Sequence, residues 1–214
     1  MKSFRICMQN IRKWGSNSRI KMCLIMSFLF VYSYISGMWK IIPLVGEKMN
    51  PWIFPFLFCW RFMKIVFMAP IVFIFCDAPF IDSNQSYVML RTSRKKWCFG
   101  QVLYIYAGSV IYAFVLFFST IIINIGHIKW GTSWGKVLGS ATVLSTLGIN
   151  YTTVKVPTIV IRYYTPAQAM FFSFLLMVLS FIFIGLLIYT VNVITKTNVA
   201  GTIIAGFFVI LTAV

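Results

Sequence analysis

Long apolar runs recur along the 214-residue chain, and shorter polar stretches separate them. Four of these runs, at residues 22–39, 53–75, 102–125 and 165–189, come close to the roughly 20 residues that a helix needs to cross a hydrocarbon core. A fifth run starts at residue 201 and reaches residue 214 without a polar flank, so either this span is short or the natural protein continues. The ten-residue alternation of a membrane β-barrel is not visible.

The pattern therefore predicts an all-α integral membrane protein, with one domain over residues 1–214 and a bundle of about five or six transmembrane helices. Small residues four apart indicate close helix packing in two of the runs. They are Ser109 with Ala113 and Gly201 with Ala205.

An amphipathic helix is predicted for the first residues of the chain. Apolar side chains recur there at helical spacing on one face, which comprises Phe4, Cys7, Met8, Ile11 and Trp14. The opposite face comprises Arg5, Gln9, Arg12 and Lys13. We expect residues 1–18 to lie on the membrane surface, with the basic face in water. A signal-peptide start is the alternative, but the following apolar run is long and has no clear small-residue cleavage site.

Basic residues dominate the charge of the chain. Nineteen Lys and Arg residues against three Asp and Glu residues give a formal net charge of +16. In a soluble protein this excess would indicate nucleic acid, but here 60% of residues are hydrophobic and the basic residues flank apolar runs. Anionic lipid headgroups account for the charge, so the expected partner is the lipid bilayer and no nucleic acid.

The distribution of these charges predicts the orientation. The tail before the first apolar run is basic and contains no acidic residue, which places the N-terminus in the cytoplasm. Four basic residues on the predicted outer side weaken this orientation without overturning it, namely Lys129, Lys136, Lys155 and Arg162.

The second apolar run is unusual because it contains Arg61 and Lys64. A charge in the middle of a bilayer costs several kcal/mol on insertion scales, roughly 2.5 to 3.5 for Arg or Lys. Two interpretations follow. Both residues could line a translocation path, or residues 52–60 could be interfacial and the span could begin near Met63.

The polar stretch at residues 76–101 separates the second and third apolar runs and lies on the cytoplasmic side in this topology. It contains Asp77 and Asp82, which are two of the three acidic residues in the chain. Asp82 or Ser83 can cap a short helix that continues through Leu90. Tyr87 and Leu90 would then be apolar anchors for a partner, and basic residues would form a rim around them.

We therefore predict a docking surface in this stretch, made by Asp77, Phe80, Asp82, Tyr87, Leu90, Arg91, Arg94 and Lys95. The alternative is a solvated loop whose basic residues only set the topology.

The next long segment, residues 126–164, is predicted to lie outside the cell. Helical spacing from Trp130 onward indicates an amphipathic helix in the outer interface. The β-branched run VKVPTIVIRYY predicts extended or irregular structure.

The fourth span has a clear start signal. It consists of an N-cap, a first-turn proline and a capping-box partner, namely Thr165, Pro166 and Gln168.

The chain has little material for catalysis. It has one histidine, His127, which we interpret as an interfacial polar residue, and five scattered cysteines without a C-x-x-C pair. It lacks a phosphate loop, a zinc-protease motif, a nucleophile elbow and a dinucleotide-binding motif. We therefore expect neither an enzyme nor a metal site nor a cofactor held by this chain. A proton-driven transporter is disfavoured because no carboxylate lies in an apolar run.

The order of these elements resembles the permease subunits of ABC-2-type exporters, particularly the small permeases that accompany separate ATPase subunits in Gram-positive bacteria. The resemblance extends over essentially the whole chain. It rests on DAPFIDSNQSYVMLRTSRKKWCFGQ, on WGKVL in the outer segment, and on TPAQAM leading into FIGLLIY.

The resemblance implies a function and partners. Residues 1–18 would be the elbow helix, and residues 76–101 would hold a cytoplasmic coupling helix that docks on a separate ABC ATPase subunit. That ATPase would bind ATP and magnesium, and a second permease copy, identical or different, would complete a multi-pass exporter in a bacterial cell membrane. The cargo would be amphipathic or hydrophobic, such as an antimicrobial-type peptide. Related permeases have six spans, whereas about five are counted here. The alternative is a non-transport scaffold or sensor subunit that recruits a cytoplasmic partner.

Overall fold

The computed structural model describes residues 2–80, 92–146 and 154–212. Regular secondary structure in these ranges is helical, apart from one isolated β-bridge between Met49 and Ile128. The α-helices are α1 (Lys2–Arg12), α2 (Ser18–Ser36), α3 (Ile42–Val45), α4 (Arg61–Phe75), α5 (Arg94–Asn124), α6 (Gly135–Thr146), α7 (Thr158–Tyr163), α8 (Pro166–Thr195) and α9 (Ala200–Leu211). Short 3-10 turns lie at Lys13–Gly15, Gly37–Lys40 and Phe54–Phe58.

Among the residues that the structure describes, three helical segments are long and apolar enough to cross a membrane, namely Ser18–Val45, Arg94–Asn124 and Pro166–Thr195. The first of them comprises α2, the 3-10 turn after it and α3. These segments agree with the prediction of an all-helical membrane protein. α4 has 15 residues and α9 has 12, so both are shorter than the roughly 20 residues that a span requires. The predicted count of five or six spans stays a prediction.

α4 lies at the centre of the bundle, where it packs against α2, α8 and α9. α5 packs in turn against α2 and α8. Phe67 and Phe75 of α4 are fully buried. Tyr112 of α5 and Phe181 of α8 are fully buried as well, and the centroids of these two rings are 5.1 Å apart. The aromatic core therefore lies where α4, α5 and α8 meet.

Small residues permit the closest helix contacts. A Cβ atom at Gly201 would lie 2.5 Å from the backbone oxygen of Ile188, so α9 approaches α8 at a distance that only glycine allows. Ala205 is fully buried one turn later. Ser109 and Ala113 of α5 are fully buried as well. Both small-residue faces that the sequence predicted therefore lie inside the bundle.

Two long helices differ from their predicted limits. α5 starts at Arg94 rather than near residue 102, because α1 packs against its first turns and buries Trp97 there. α8 starts as predicted, with a capping box in which Thr165 Oγ1 accepts from the Gln168 backbone N–H and Gln168 Oε1 accepts from that of Thr165. It continues to Thr195, past the predicted end at residue 189.

The segment between α5 and α8 is partly helical. The helix predicted from Trp130 begins at Gly135 instead. Irregular structure is confirmed for residues 154–157, but the prediction is wrong for α7, which spans Thr158–Tyr163. Pro157 immediately precedes this helix, and a proline fits there because the first helical turn needs no N–H donor.

Side-chain contacts define two ends of the bundle. The amino-terminal end comprises α1, residues 76–80, the first turns of α5 and the turn between α8 and α9. The far end comprises residues 39–60 and 124–166, apart from residues 147–153.

Candidate functional site

α1 lies along the first turns of α5, at the amino-terminal end. Side-chain hydrogen bonds join α1 and the turn after it to α5. They run from Ser3 Oγ to the Lys96 carbonyl, from Asn10 Nδ2 to Gln101 Oε1 and, in the turn, from Trp14 Nε1 to Tyr104 Oη. The residue numbers of the bonded partners increase along both segments, so α1 runs in the same direction as α5. A Cβ atom at Gly100 would lie 3.0 Å from that of Ile6, and this glycine therefore allows the close approach.

The predicted helix at the N-terminus is confirmed, but its apolar face is divided between two environments. Phe4 and Met8 are 59% and 38% exposed, whereas Ile11 and Trp14 pack against the core. The side of α1 that contacts α5 also includes the polar residue Asn10, which is 7% exposed. The position of residues 1–18 on a membrane surface stays a prediction.

The buried pair of Asn10 and Gln101 was missed by the sequence reasoning. Asn10 belongs to a helix that was interpreted as amphipathic towards lipid, and Gln101 was the last residue of a polar loop. Gln101 is 1% exposed in the structure. Two amide side chains in separate segments carry no sequence signal that pairs them, since the pairing depends on how the helices pack.

Asp77, a predicted docking residue, is bound to Arg19 of the same chain. Arg19 Nη1 donates a 3.0 Å hydrogen bond to Asp77 Oδ1, and Nη2 forms an ion pair with Oδ2. The guanidinium holds the pKa of the Asp77 carboxyl below its ordinary value, although partial burial opposes this shift. The pair links the start of α2 to the end of α4.

The residues after Asp77 are anchored by several helices. Asn192 of α8 is buried, donates a 2.8 Å hydrogen bond to the Ala78 carbonyl and accepts one of 2.7 Å from the Gly201 backbone N–H. The ring of Phe80 packs against that of Tyr104, with 4.8 Å between centroids. The start of the 76–101 stretch is therefore held by α2, α5, α8 and α9 together.

The rest of the predicted docking surface is only partly described. Arg94 and Lys95 are exposed in the first turn of α5. The backbone N–H groups at a helix N-terminus carry partial positive charge, so basic side chains are unfavourable there without an anionic partner. Asp82, Tyr87, Leu90 and Arg91, together with the predicted capped helix, lie outside the described residues.

Arg61 and Lys64 lie towards the far end of the bundle. α4 begins at Arg61, and residues 54–58 before it form a 3-10 turn. The helix therefore starts two residues before Met63. The interfacial position of residues 52–60 stays a prediction. A role of the two basic residues in a translocation path stays a prediction.

The far end is joined by polar contacts of its own. Lys136 Nζ donates a 2.6 Å hydrogen bond to Glu47 Oε1, which lowers the pKa of the Glu47 carboxyl. Trp39 Nε1 donates a 3.0 Å hydrogen bond to Asn124 Oδ1, and the Trp39 ring lies 4.9 Å from that of His127. His127 thus contacts an aromatic ring at the far end of the bundle. Its interfacial position stays a prediction.

Within residues 2–80, 92–146 and 154–212, no three His, Cys, Asp or Glu side chains lie close enough together to hold a metal ion. The chain matches no protein-family model, no curated protein and no solved structure.

Proposed function

We propose that the chain is the transmembrane subunit of an ATP-driven exporter of the ABC-2 type, whose amino-terminal end docks a separate ABC ATPase. The observation that supports this most is the anchoring of residues 77–80, which lead into the predicted coupling helix. Arg19, Tyr104 and Asn192 hold them from α2, α5 and α8. A force applied to the coupling segment would therefore reach several membrane helices at once.

Charge also supports a docking role for this end. Arg94 and Lys95 are exposed at a helix N-terminus that would favour anions over cations. An acidic groove on an ATPase would compensate both the side chains and the helix terminus. Complementary charge of this kind mainly speeds association and fixes the orientation of the partner.

In the proposed mechanism, two ATPase subunits bind ATP and magnesium and close on each other. Their closure favours one of two arrangements of the membrane helices, because the coupling segments bind the closed ATPases differently in each arrangement. A second permease copy completes the transport path, and α4 and α9 would bring the number of spans in each copy to five. The cargo is an amphipathic or hydrophobic molecule, for which a peptide is our hypothesis, and the N-terminus is cytoplasmic in a bacterial cell membrane.

Co-purification tests the proposal. Where a neighbouring reading frame encodes a phosphate-loop ATPase, the full chain would be expressed with it, and the ATPase should be retained through a tag on the permease. The double variant Arg94→Glu/Lys95→Glu should reduce retention, whereas Lys129→Glu, an exposed charge reversal at the far end, should not. Equal retention by all three chains would contradict docking at the amino-terminal end.

A non-transport scaffold or sensor subunit would use the same end to recruit a cytoplasmic partner. The two functions differ in their dependence on ATP. Reconstituted with the ATPase, an exporter subunit should change the rate of ATP hydrolysis and move cargo between vesicle compartments, whereas a scaffold would bind without either effect.

A further inference from the structure

Tyr112 of α5 fixes the level of α4 along the bundle. It is fully buried, and its Oη donates a 3.1 Å hydrogen bond to the Phe67 carbonyl of α4. Tyr112 lies near the middle of the apolar run at residues 102–125, which belongs to a helix that is long enough to cross a membrane. The Phe67 carbonyl is therefore close to the middle of the hydrocarbon core.

Lys64 lies near the same level, on the side of the far end. It comes three residues before Phe67 in α4, and a helix rises about 1.5 Å per residue, so the two Cα atoms are about 5 Å apart along the axis. Half of a hydrocarbon core is about 15 Å thick. A lysine side chain extends only about 6 Å from Cα to Nζ, so snorkelling cannot bring this ammonium group to the headgroups.

Lys64 is on the inner face of α4. It shares this face with Ile71 and Phe75, seven and eleven residues later, which are both fully buried. Phe62 is two residues from Lys64, which is about 200° around the helix axis, and it is 56% exposed. Phe73 is on the same outer side and is 53% exposed. Lys64 is only partly buried, so its charge faces a space inside the bundle and not the lipid.

The segment before α4 also enters the membrane. Trp52 Nε1 donates a 2.9 Å hydrogen bond to the Gly131 carbonyl at the far end. Six residues later the ring of Phe58 lies 5.7 Å from that of Phe67, so the chain reaches the aromatic core before α4 begins. Irregular backbone at this depth is tolerated where it is buried in protein or lines a water-filled space. Helices that begin inside the membrane after such a segment are typical of transporter binding sites.

Lys64 has no counter-charge in the part of the chain that the structure describes. Its Nζ forms no hydrogen bond or ion pair there. Asp77 and Glu47 are each paired with another basic residue, at opposite ends of the bundle, and Asp82 lies outside the described residues. An ionised side chain inside the membrane is costly, and such residues mark the paths of ligands and ions.

We propose that Lys64 binds a carboxylate group of the cargo inside the membrane. The proposal rests on the exporter function proposed above and adds that the amphipathic cargo carries a negative charge beside its apolar part. A peptide has such a group at its C-terminus. The N-terminus of the 15-residue helix α4, one turn from Lys64, adds partial positive charge at the same place.

The position of Lys64 is tested by the reactivity of single cysteines. The full chain, with its native cysteines replaced, would be reconstituted in vesicles and treated with a small charged thiosulfonate, which reacts with thiols that water reaches. Lys64→Cys should react, whereas Phe62→Cys, on the lipid-facing side of α4, should not. A Lys64→Cys chain that stays as unreactive as Phe62→Cys would overturn the proposal.

Binding tests the carboxylate. The probes are a dansylated apolar tripeptide with a free C-terminal carboxylate and the same peptide with a C-terminal amide, and dansyl fluorescence measures their affinity for the full chain in detergent. We expect the carboxylate to bind about tenfold more tightly than the amide, which is the effect of one hydrogen bond to a charged group. Equal affinities would overturn the proposal.

Variants assign the preference to Lys64. Lys64→Gln should abolish the preference for the carboxylate and Lys64→Arg should keep it. Lys129→Gln, which removes an exposed charge at the far end, should keep it as well. Melting temperatures show that each variant is folded. A preference that survives in folded Lys64→Gln would contradict the assignment.

Two further arms separate the alternatives. Phosphatidylglycerol offers a phosphate oxyanion, and if its binding depended on Lys64 while that of the peptide carboxylate did not, the site would belong to a lipid and the proposal would be wrong. The binding measurements need no ATPase. ATP-dependent transport without a carboxylate preference would therefore remove this proposal alone, whereas the preference without any ATP-dependent transport would contradict the exporter function.

Discussion

Asn10 Nδ2 donates a 2.9 Å hydrogen bond to Gln101 Oε1, and both side chains are buried between α1 and α5. Each amide side chain is buried and would lack this hydrogen-bond partner if the other were removed. Loss of a single partner should be costlier than loss of both, because an unpaired buried polar group retains its full desolvation penalty.

Asn10→Ala should therefore lower the free energy of unfolding by about 1 to 3 kcal/mol. The double variant Asn10→Leu/Gln101→Leu should be closer to wild type, since an apolar pair leaves no unpaired group. Thermal unfolding in detergent, followed by circular dichroism, measures both. A double variant less stable than the single variant would show that the amide pair itself stabilises the contact.

The ion pair of Arg19 and Asp77 should make stability depend on acid pH. Because the pKa of Asp77 is lowered in the folded protein, the pair stabilises the fold above the ordinary Asp range near 4 and loses this contribution as pH falls through the folded pKa. The Asp77 side chain is 58% exposed, so the contribution should be at most about 1 kcal/mol.

Asp77→Asn should accordingly flatten the decline of the melting temperature as pH falls from the ordinary Asp range through the lowered pKa of Asp77. The pH profile of Asp77→Asn would be compared with that of Glu47→Gln. Glu47 is a second carboxylate whose pKa is lowered, and it is paired with Lys136 at the far end. An Asp77→Asn profile that coincides with that of wild type would mean that the pair contributes nothing to stability.

Two glycines of α9 should respond differently to substitution by alanine. A Cβ atom at Gly201 would lie 2.5 Å from the backbone oxygen of Ile188, which no rotamer change relieves, so Gly201→Ala should cost about 1 to 3 kcal/mol. A Cβ atom at Gly206 would have no neighbour within 4 Å, and Gly206→Ala should stabilise the helix by up to about 1 kcal/mol. Melting temperatures of the two variants in one detergent decide this, and equal values would refute the close contact.

Cysteine labelling tests the orientation of the bundle. Ser93 and Thr132 are exposed at opposite ends. In a chain whose native cysteines are replaced, a membrane-impermeant maleimide should label Ser93→Cys only from the cytoplasm and Thr132→Cys only from outside. The reverse pattern would invert the topology and remove the coupling segment from the side where ATP is available.

Patterns within a single segment were predicted well from the sequence. The capping box of Thr165 and Gln168 is local, and so is the helical spacing of Phe4, Met8 and Ile11. The spacing did not show that Ile11 and Trp14 would pack against protein while Phe4 stayed exposed. Helical periodicity identifies an apolar face but not what covers it.

Contacts between distant segments were not predictable. Arg19 was counted only as a topology signal and Asp77 only as a docking residue, yet they bind each other. The early start of α5 has the same origin, because α1 shields a stretch whose composition alone indicates a polar loop. Such pairings follow from the packing of helices that are far apart in sequence.

The order in which the chain is made gives the contact between α1 and α5 a further consequence. α1 is synthesised first, but Asn10 must wait for a partner 91 residues later. At ordinary translation rates this interval is on the order of ten seconds. During it the nascent α1 has no partner on α5. Assembly of the finished protein therefore includes a late step in which its first helix joins its fifth.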